Sequence, residues 1–164
     1  MQYIIFYGII AIAIGAIIIG IRSHDAKMKK LVAEGKAAKR ERIFWMRQTS
    51  FSTRISSIDE IYSIMNKSAL NEFNINHKIE AGSYVLFTQK VSGGSFAATL
   101  KTVGQNGDKY QYTYQIEQYQ GTGGYMKSKC LLTANILLTA IEKAILQLDK
   151  DTLVSYRTAS LQTK

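Results

Sequence analysis

The chain has 164 residues, a formal net charge of +9 at neutral pH and no proline. This length leaves room for one domain beside an N-terminal apolar segment, so an assembly of several domains within the chain is excluded. The single cysteine, Cys130, excludes a fold held together by internal disulfides.

The first predicted element is an apolar run from Tyr3 to Ile21, nineteen residues without a charge. As a helix this run would be about 28 Å long, close to the thickness of a bilayer's hydrocarbon core. It is longer than the apolar part of a signal peptide, and it lacks the basic start and the small-residue cleavage site. We therefore predict an uncleaved transmembrane anchor over residues 1–22, whose membrane contacts are Tyr3, Phe6, Tyr7, Ile21 and Arg22.

Residues 23–54 form a basic juxtamembrane segment. Between Arg22 and Arg54 lie ten Lys or Arg against three acidic residues, whereas no basic side chain precedes the apolar run. The positive-inside rule then predicts an N-terminus outside the cell and a cytoplasmic C-terminal domain. Residues 24–47 are rich in Ala, Lys, Glu and Arg, which predicts a helical stalk that continues the membrane span.

This stalk has two interpretations, a solvated helix and a surface helix held against anionic lipid headgroups. The residues assigned to the lipid contact are Lys27, Lys29, Lys30, Lys39 and Arg40. Phe44, Trp45 and Met46 indicate docking on lipid or on the domain itself. Nucleic acid is not an expected partner, because juxtamembrane basic residues are explained by topology.

Residues 55–164 are predicted to form a small α+β domain: a helix, a three-stranded antiparallel sheet and a second helix. The Thr and Ser residues of 49–53 are interpreted as a loop. Ser57 and Glu60 have the spacing of a capping box and begin an amphipathic helix that extends to about Phe73. The later elements are strands over residues 84–90, 96–103 and 109–119, a helix over 131–148, and a short strand or frayed tail over 152–156.

The last helix is apolar on most of its surface, apart from a narrow stripe of polar side chains that includes Asn135, Thr139 and Glu142. A helix that lies on a sheet usually hides a narrower apolar stripe. The first helix of the domain or another subunit must therefore cover the remainder. We favour a protein partner or a second copy of the chain, at an interface formed by Leu132, Ile136, Leu137 and Ala140.

The sequence contains no recognisable catalytic, cofactor-binding or metal-binding group of residues. The segment Gly121–Ser128 places Met126 where a phosphate-binding loop requires a glycine, so we reject a nucleotide site. Tyr110, Tyr112 and Tyr114 share one strand face, which is interpreted as part of the core rather than as a stacking surface. Cys130 is interpreted as a small buried side chain.

These patterns predict a membrane-tethered, non-enzymatic adaptor or structural subunit that binds protein partners or itself. The alternative is an exported pilus-like or filament subunit, with the hydrophobic N-terminal helix packed in the fibre core. An enzyme or ligand-binding domain with an unrecognised pocket is a third hypothesis. The side of the membrane on which the C-terminus lies discriminates between the first two.

Overall fold

The computed structural model describes residues 12–14, 16, 19, 23, 25–41, 43–65, 67–80, 83–92, 94–122 and 125–158. The chain divides into two compact units, Met1–Gly35 and Lys36–Lys164. In the first unit, all described residues from 12 to 33 are helical. The predicted membrane contacts lie outside the described residues: Tyr3, Phe6, Tyr7, Ile21 and Arg22.

The predicted helical stalk over residues 24–47 is wrong. The helix ends at residue 33, and Gly35 has a positive φ of 68°. Residues 38–41 have no regular secondary structure, and Phe44–Met46 form a single 3₁₀ turn. Local helix propensity is overridden here, because backbone groups of this segment bond to a distant helix.

The second unit is built on an antiparallel sheet in which six strands lie side by side, in the order β2-β3-β4-β5-β1-β7. A short seventh strand, β6, pairs with the end of β5. The strands are β1 (Arg47–Thr53), β2 (Asn76–Glu80), β3 (Tyr84–Val91), β4 (Gly94–Asn106), β5 (Lys109–Thr122), β6 (Tyr125–Met126) and β7 (Leu153–Thr158).

In the described part of this unit three helices accompany the sheet: α1 (Ile58–Ile64), α2 (Lys67–Glu72) and α3 (Ser128–Leu148). The Ser57 hydroxyl caps α1 by accepting a hydrogen bond from the Asp59 N–H at 3.1 Å. The predicted single helix up to Phe73 is interrupted, because Met65 leaves the helical conformation with a ψ of 139°. Apolar side chains of α1 and α3 pack with the inward side chains of the sheet in one core.

The predicted three-stranded sheet between two helices is therefore wrong, since the domain is mainly an antiparallel sheet with few helices. Strands β1 and β2 have no counterpart in the prediction. In β1, Thr49, Phe51 and Thr53 are buried while Ser50 and Ser52 are half-buried on the opposite face. This alternation is typical of a strand covered on one side, although its polar residues resemble a loop.

Within the described part of the chain, α3 is the one helix long and apolar enough to cross a membrane. About two thirds of its most apolar stretch, 67%, is buried inside the structure. Core helices of soluble proteins have the same length and composition. We therefore interpret α3 as the central core helix of the domain rather than as a membrane span.

A hairpin turn and a β-bulge in the β4–β5 pair determine the position of the groove described below. The hairpin between β4 and β5 turns at Gly107 and Asp108, where Gly107 has a φ of +63° at the first loop position. Near the other end of the same pair, Glu117 is an extra residue between the Ala97–Gln118 and Ala98–Ile116 pairs. This β-bulge bends the sheet locally.

Candidate interaction surfaces

Residues 36–41, here called the strap, cross helix α3 along its polar stripe. The Ala38 N–H donates to Asn135 Oδ1 at 3.3 Å and to Thr139 Oγ1 at 3.0 Å. Asn135 Nδ2 in turn donates to the Ala38 carbonyl oxygen at 2.9 Å. One side-chain amide thus bonds to both backbone groups of Ala38. The strap therefore covers polar residues of α3 that the sequence pattern alone would place in solvent.

Arg40 extends this contact into a partly enclosed ion pair. Its Nη2 lies 2.5 Å from Glu142 Oε2, and its Nε donates to Asn135 Oδ1 at 3.1 Å. The Arg40 side chain is only 8% exposed and that of Glu142 only 15%. The guanidinium also lies 5.8 Å from the centroid of the Phe44 ring. Arg40 is thus placed inside the domain and not on the predicted lipid-facing surface.

The four lysines of the predicted lipid contact are placed differently from Arg40. Lys27, Lys29, Lys30 and Lys39 are exposed. Lys30 lies 3.9 Å from Glu34 one helical turn away, and such an exposed pair contributes little stability. These four side chains are accessible to an anionic surface, whereas the contact with Glu142 occupies Arg40.

The predicted partner interface on α3 is largely buried within the chain. Leu132, Ile136 and Leu137 are each no more than 5% exposed, and Ala140 is half-buried. Leu137 belongs to the main core cluster with side chains of the sheet. In this conformation the first three residues offer almost no area to a second chain.

The aromatic residues after the strap dock on the domain itself. Trp45 is 5% exposed, and its ring lies edge-on to that of Tyr119, with centroids 4.6 Å apart. Phe44 and Met46 are partly buried against the same core. Lipid and the domain itself are the two docking sites that the sequence allows for these residues, and the structure places them on the domain.

The tyrosine face of β5 lies in the core, as the sequence predicted. Tyr112 and Tyr114 are almost fully buried, and the Tyr112 hydroxyl donates to the Ile55 carbonyl oxygen at 2.9 Å. Burial raises the pKa of Tyr112 to about 12. The Tyr114 hydroxyl is buried and has no hydrogen-bond partner among the described residues.

The sheet face opposite the core is named here the polar face. Its residues alternate with the buried ones along each strand and are mainly Ser, Thr, Gln and Lys. Several bond to one another across strands, including Gln111 Nε2 to Ser52 Oγ at 2.8 Å and Thr99 Oγ1 to Glu117 Oε1 at 2.7 Å. Representative members of this face are Ser50, Ser52, Thr88, Lys90, Ser95, Ala97, Thr99, Gln111, Gln115 and Gln118.

A groove of about 350 Å³ lies beside the β-bulge. The polar-face residues that line it are Asn76, Thr88, Lys90, Ser95, Ala97, Gln118 and Gln120. Their amides and hydroxyls can both donate and accept hydrogen bonds, and Lys90 is the one charged group in this lining. No carboxylate is among the described residues of the groove. This chemistry suits a polar ligand that is neutral or negatively charged.

The two edges of the sheet differ in character. Strand β2 is short, and Lys78 and Glu80 form an ion pair on it. Strand β7 carries one charged residue, Arg157, while Leu153 and Tyr156 are 66% and 51% exposed. Neither edge could be located from the sequence, because edge position depends on strand order.

Among the described residues, the side chains that could act in catalysis or bind a metal lie far apart from one another. Cys130 is fully buried, and burial raises the pKa of its thiol although Lys127 acts in the opposite direction. His77 lies on the exposed strand β2, with its ring centroid 5.0 Å from that of Tyr62. No group of three potential metal ligands occurs among the residues that the structure describes.

Comparison with known proteins finds no matching family model, no matching curated protein and no matching solved structure.

Proposed function

We propose that this protein is a membrane-tethered, non-enzymatic adaptor or structural subunit that binds other proteins through its sheet domain, residues 36–164. The apolar run that ends at Ile21 provides the tether, and the domain lies in the cytoplasm. The observation that best supports a membrane tether is the exposure of isoleucine side chains within this run. Ile12, Ile14 and Ile19 are 74%, 52% and 70% exposed.

Exposed isoleucines at this density are unfavourable in water. Transfer of each such side chain from water to an apolar environment lowers the free energy by about 1.5–3 kcal/mol. In a bilayer the same side chains face hydrocarbon. The cations that follow, including Lys27, Lys29 and Lys30, are exposed and favour the cytoplasmic side. The apolar run and its basic flank together support a single membrane span with this orientation.

The tether is tested by fractionation of cells that express the full-length chain with a C-terminal reporter. We expect the protein in the membrane fraction, resistant to carbonate, with a cytoplasmic reporter signal. Ile14→Arg should shift a large share into the soluble fraction, while the matched Ile14→Leu should not. A native chain that is soluble without detergent, or trimmed near residue 26, would contradict the tether. An external reporter signal would instead support the filament alternative.

The groove beside the β-bulge is the site at which we propose that a partner protein binds. Its three amide side chains, Asn76, Gln118 and Gln120, are suited to the peptide groups of an extended segment. Lys90 adds a positive charge, which favours a segment with neutral or acidic side chains. We therefore place the partner's polar, extended segment across this groove.

A photo-crosslinking side chain at Gln118 tests this placement in intact cells. We expect a discrete protein adduct there and none at Thr102, which is exposed on β4 outside the groove. The adduct should be lost when Ala97, a small residue of the groove, is changed to Arg. Equal adducts at both positions, or an adduct that survives Ala97→Arg, would rule out the groove as the binding surface.

A further inference from the structure

The two edge strands differ in their protection against pairing with another strand. Edge strands of soluble domains are commonly short, charged, bulged or covered, because their free N–H and C=O groups otherwise recruit a neighbour. Strand β2 follows this rule, since it is short and carries the ion pair of Lys78 and Glu80. Strand β7 does not, since its sequence LVSYRT contains aliphatic, β-branched and aromatic residues and a single charge.

Strand β7 also exposes an apolar side chain on each face of the sheet: Leu153 lies on the polar face, beside its pair partner Ser52, and Tyr156 lies on the α3 side, beside its pair partner Thr49. Leu153 and Tyr156 are 66% and 51% exposed, and Leu146 of α3 is 41% exposed. The Tyr156 hydroxyl donates to Glu142 Oε1 at 3.2 Å, which places this side of α3 beside β7. Leu146 follows Glu142 by one helical turn and therefore lies on the same side of the helix. An edge with which no described strand pairs thus carries exposed apolar side chains on both faces.

We propose that β7 pairs antiparallel with β7 of a second copy, so that the two sheets become continuous across a two-fold axis at Ser155. This inference rests on the proposed role as a binding subunit and names a second copy of the chain as a partner. It uses the edge of the sheet, whereas the groove lies near the opposite edge of the same sheet.

The sequence of β7 is complementary to itself in this register. Residues that face each other in an antiparallel pair share one side of the sheet, so Val154 lies opposite Tyr156 of the second copy. A β-branched residue opposite an aromatic one is a favourable cross-strand pair. Arg157 lies opposite the second copy's Leu153, where its aliphatic stem covers the leucine, and the two arginines do not face each other.

Disulfide formation tests the pairing directly in the full-length protein in detergent. Residues opposite each other in an antiparallel pair have Cα atoms about 4.5–5.5 Å apart, which a disulfide can bridge. In a Cys130→Ala background, we expect Ser155→Cys to form a covalent dimer on mild oxidation. The matched Ile79→Cys, exposed on the other edge strand and outside the groove, should remain monomeric. Equal crosslinking at both positions, or none at Ser155, would overturn the proposal.

Charges introduced at position 155 provide a second, independent test. Ser155→Lys and Ser155→Glu each place two like charges on the two-fold axis and should weaken the homodimer by about tenfold. A mixture of the two variants should recover the dimer, because opposite charges then face each other. Recovery excludes misfolding as the cause of the loss. Failure to recover, with unchanged circular dichroism, would contradict the pairing and leave the membrane fractionation result unaffected.

Discussion

The side-chain amide of Asn135 bonds to both the N–H and the carbonyl oxygen of Ala38, a residue that lies 97 positions earlier in the chain. This relationship attaches the strap to the core helix. It also explains how a polar side chain can be 2% exposed in the middle of an apolar helix.

Replacement of Asn135 by Ala should therefore destabilise the domain. The change removes the partner of the Ala38 carbonyl oxygen and of the Arg40 Nε–H, while the Ala38 N–H keeps its bond to Thr139, and we expect a cost of about 2 kcal/mol. Urea unfolding of the full-length protein in detergent measures this loss. Gln147→Ala, an exposed change on the same helix, is the control and should have little effect. Equal stability of the two variants would contradict the structural role of the strap.

Arg40→Ala and Lys39→Ala distinguish an enclosed ion pair from a lipid contact. Removal of Arg40 leaves the Glu142 carboxylate poorly compensated and should cost about 3 kcal/mol, whereas the exposed Lys39 should cost almost nothing. Thermal unfolding gives the stability, and flotation with anionic vesicles gives the lipid binding. A stable Arg40→Ala variant that no longer binds vesicles would support the lipid contact instead.

Tyr112 and Tyr114 form a matched pair, because they are buried on the same strand face but differ in hydrogen bonding. Tyr112→Phe removes the bond to the Ile55 carbonyl oxygen and should cost about 1 kcal/mol. Tyr114→Phe removes a buried hydroxyl that has no partner among the described residues, so stability should be unchanged or slightly higher. The two midpoints of urea unfolding test this order, and a reversed order would contradict it.

Asp149 should make stability depend on pH in the acidic range. Its carboxylate accepts hydrogen bonds from the Arg54 N–H at 2.8 Å and the Thr53 hydroxyl at 2.9 Å. The Arg54 backbone N–H is the main cause that lowers the pKa of Asp149. Because the folded form has the lower pKa, the stabilisation is present above the ordinary value and is lost as the pH falls through the folded one.

We expect Asp149→Asn to lower stability by about 1 kcal/mol at neutral pH, since the carboxylate is close to solvent. The difference from the native protein should shrink as the pH falls below the ordinary pKa of an aspartate and through the lowered pKa of Asp149. Asp108→Asn is the control, because Asp108 also pairs with Arg54 but at 3.7 Å and with both side chains exposed. A difference that grows on acidification would contradict the assignment.

Trp45 is the single tryptophan of the chain and reports on where its segment docks. We expect blue-shifted fluorescence emission from the folded protein, with no further change when anionic vesicles are added, because Trp45 is buried against Tyr119. An exposed reporter, Ile43→Trp in a Trp45→Phe background, should emit at longer wavelength. A vesicle-dependent shift of native Trp45 would indicate docking on lipid.

Local patterns identify the strands and the helix between residues 84 and 148 but not the architecture around them. The Asn-Gly signal at residue 107 and the apolar periodicity of α3 are readable because each depends on neighbours in sequence. The Ser and Thr residues of strand β1 predict a loop, because these residue types are common in loops. Only pairing with β5 and β7 makes Thr49 and Thr53 inward-facing residues.

The candidate surfaces were harder to predict for the same reason. Arg40 looks like one more basic residue of a solvated segment until Glu142, about a hundred positions later, lies beside it. Leu132 and Ile136 look like a partner interface until the folded chain buries them. The exposed edge at β7 follows from strand order, which no local pattern encodes.

The strap has a mechanical consequence, because it precedes β1 in the chain. Tension applied on the N-terminal side of Lys36 must pass through the attachments of Ala38 and Arg40 to helix α3 before it can pull on β1. These are a few hydrogen bonds and the Arg40–Glu142 ion pair on α3, preceded by the Lys36–Glu72 ion pair on α2, so we expect them to yield under load before the sheet does. The domain would then lengthen by the short strap segment while its sheet stays intact.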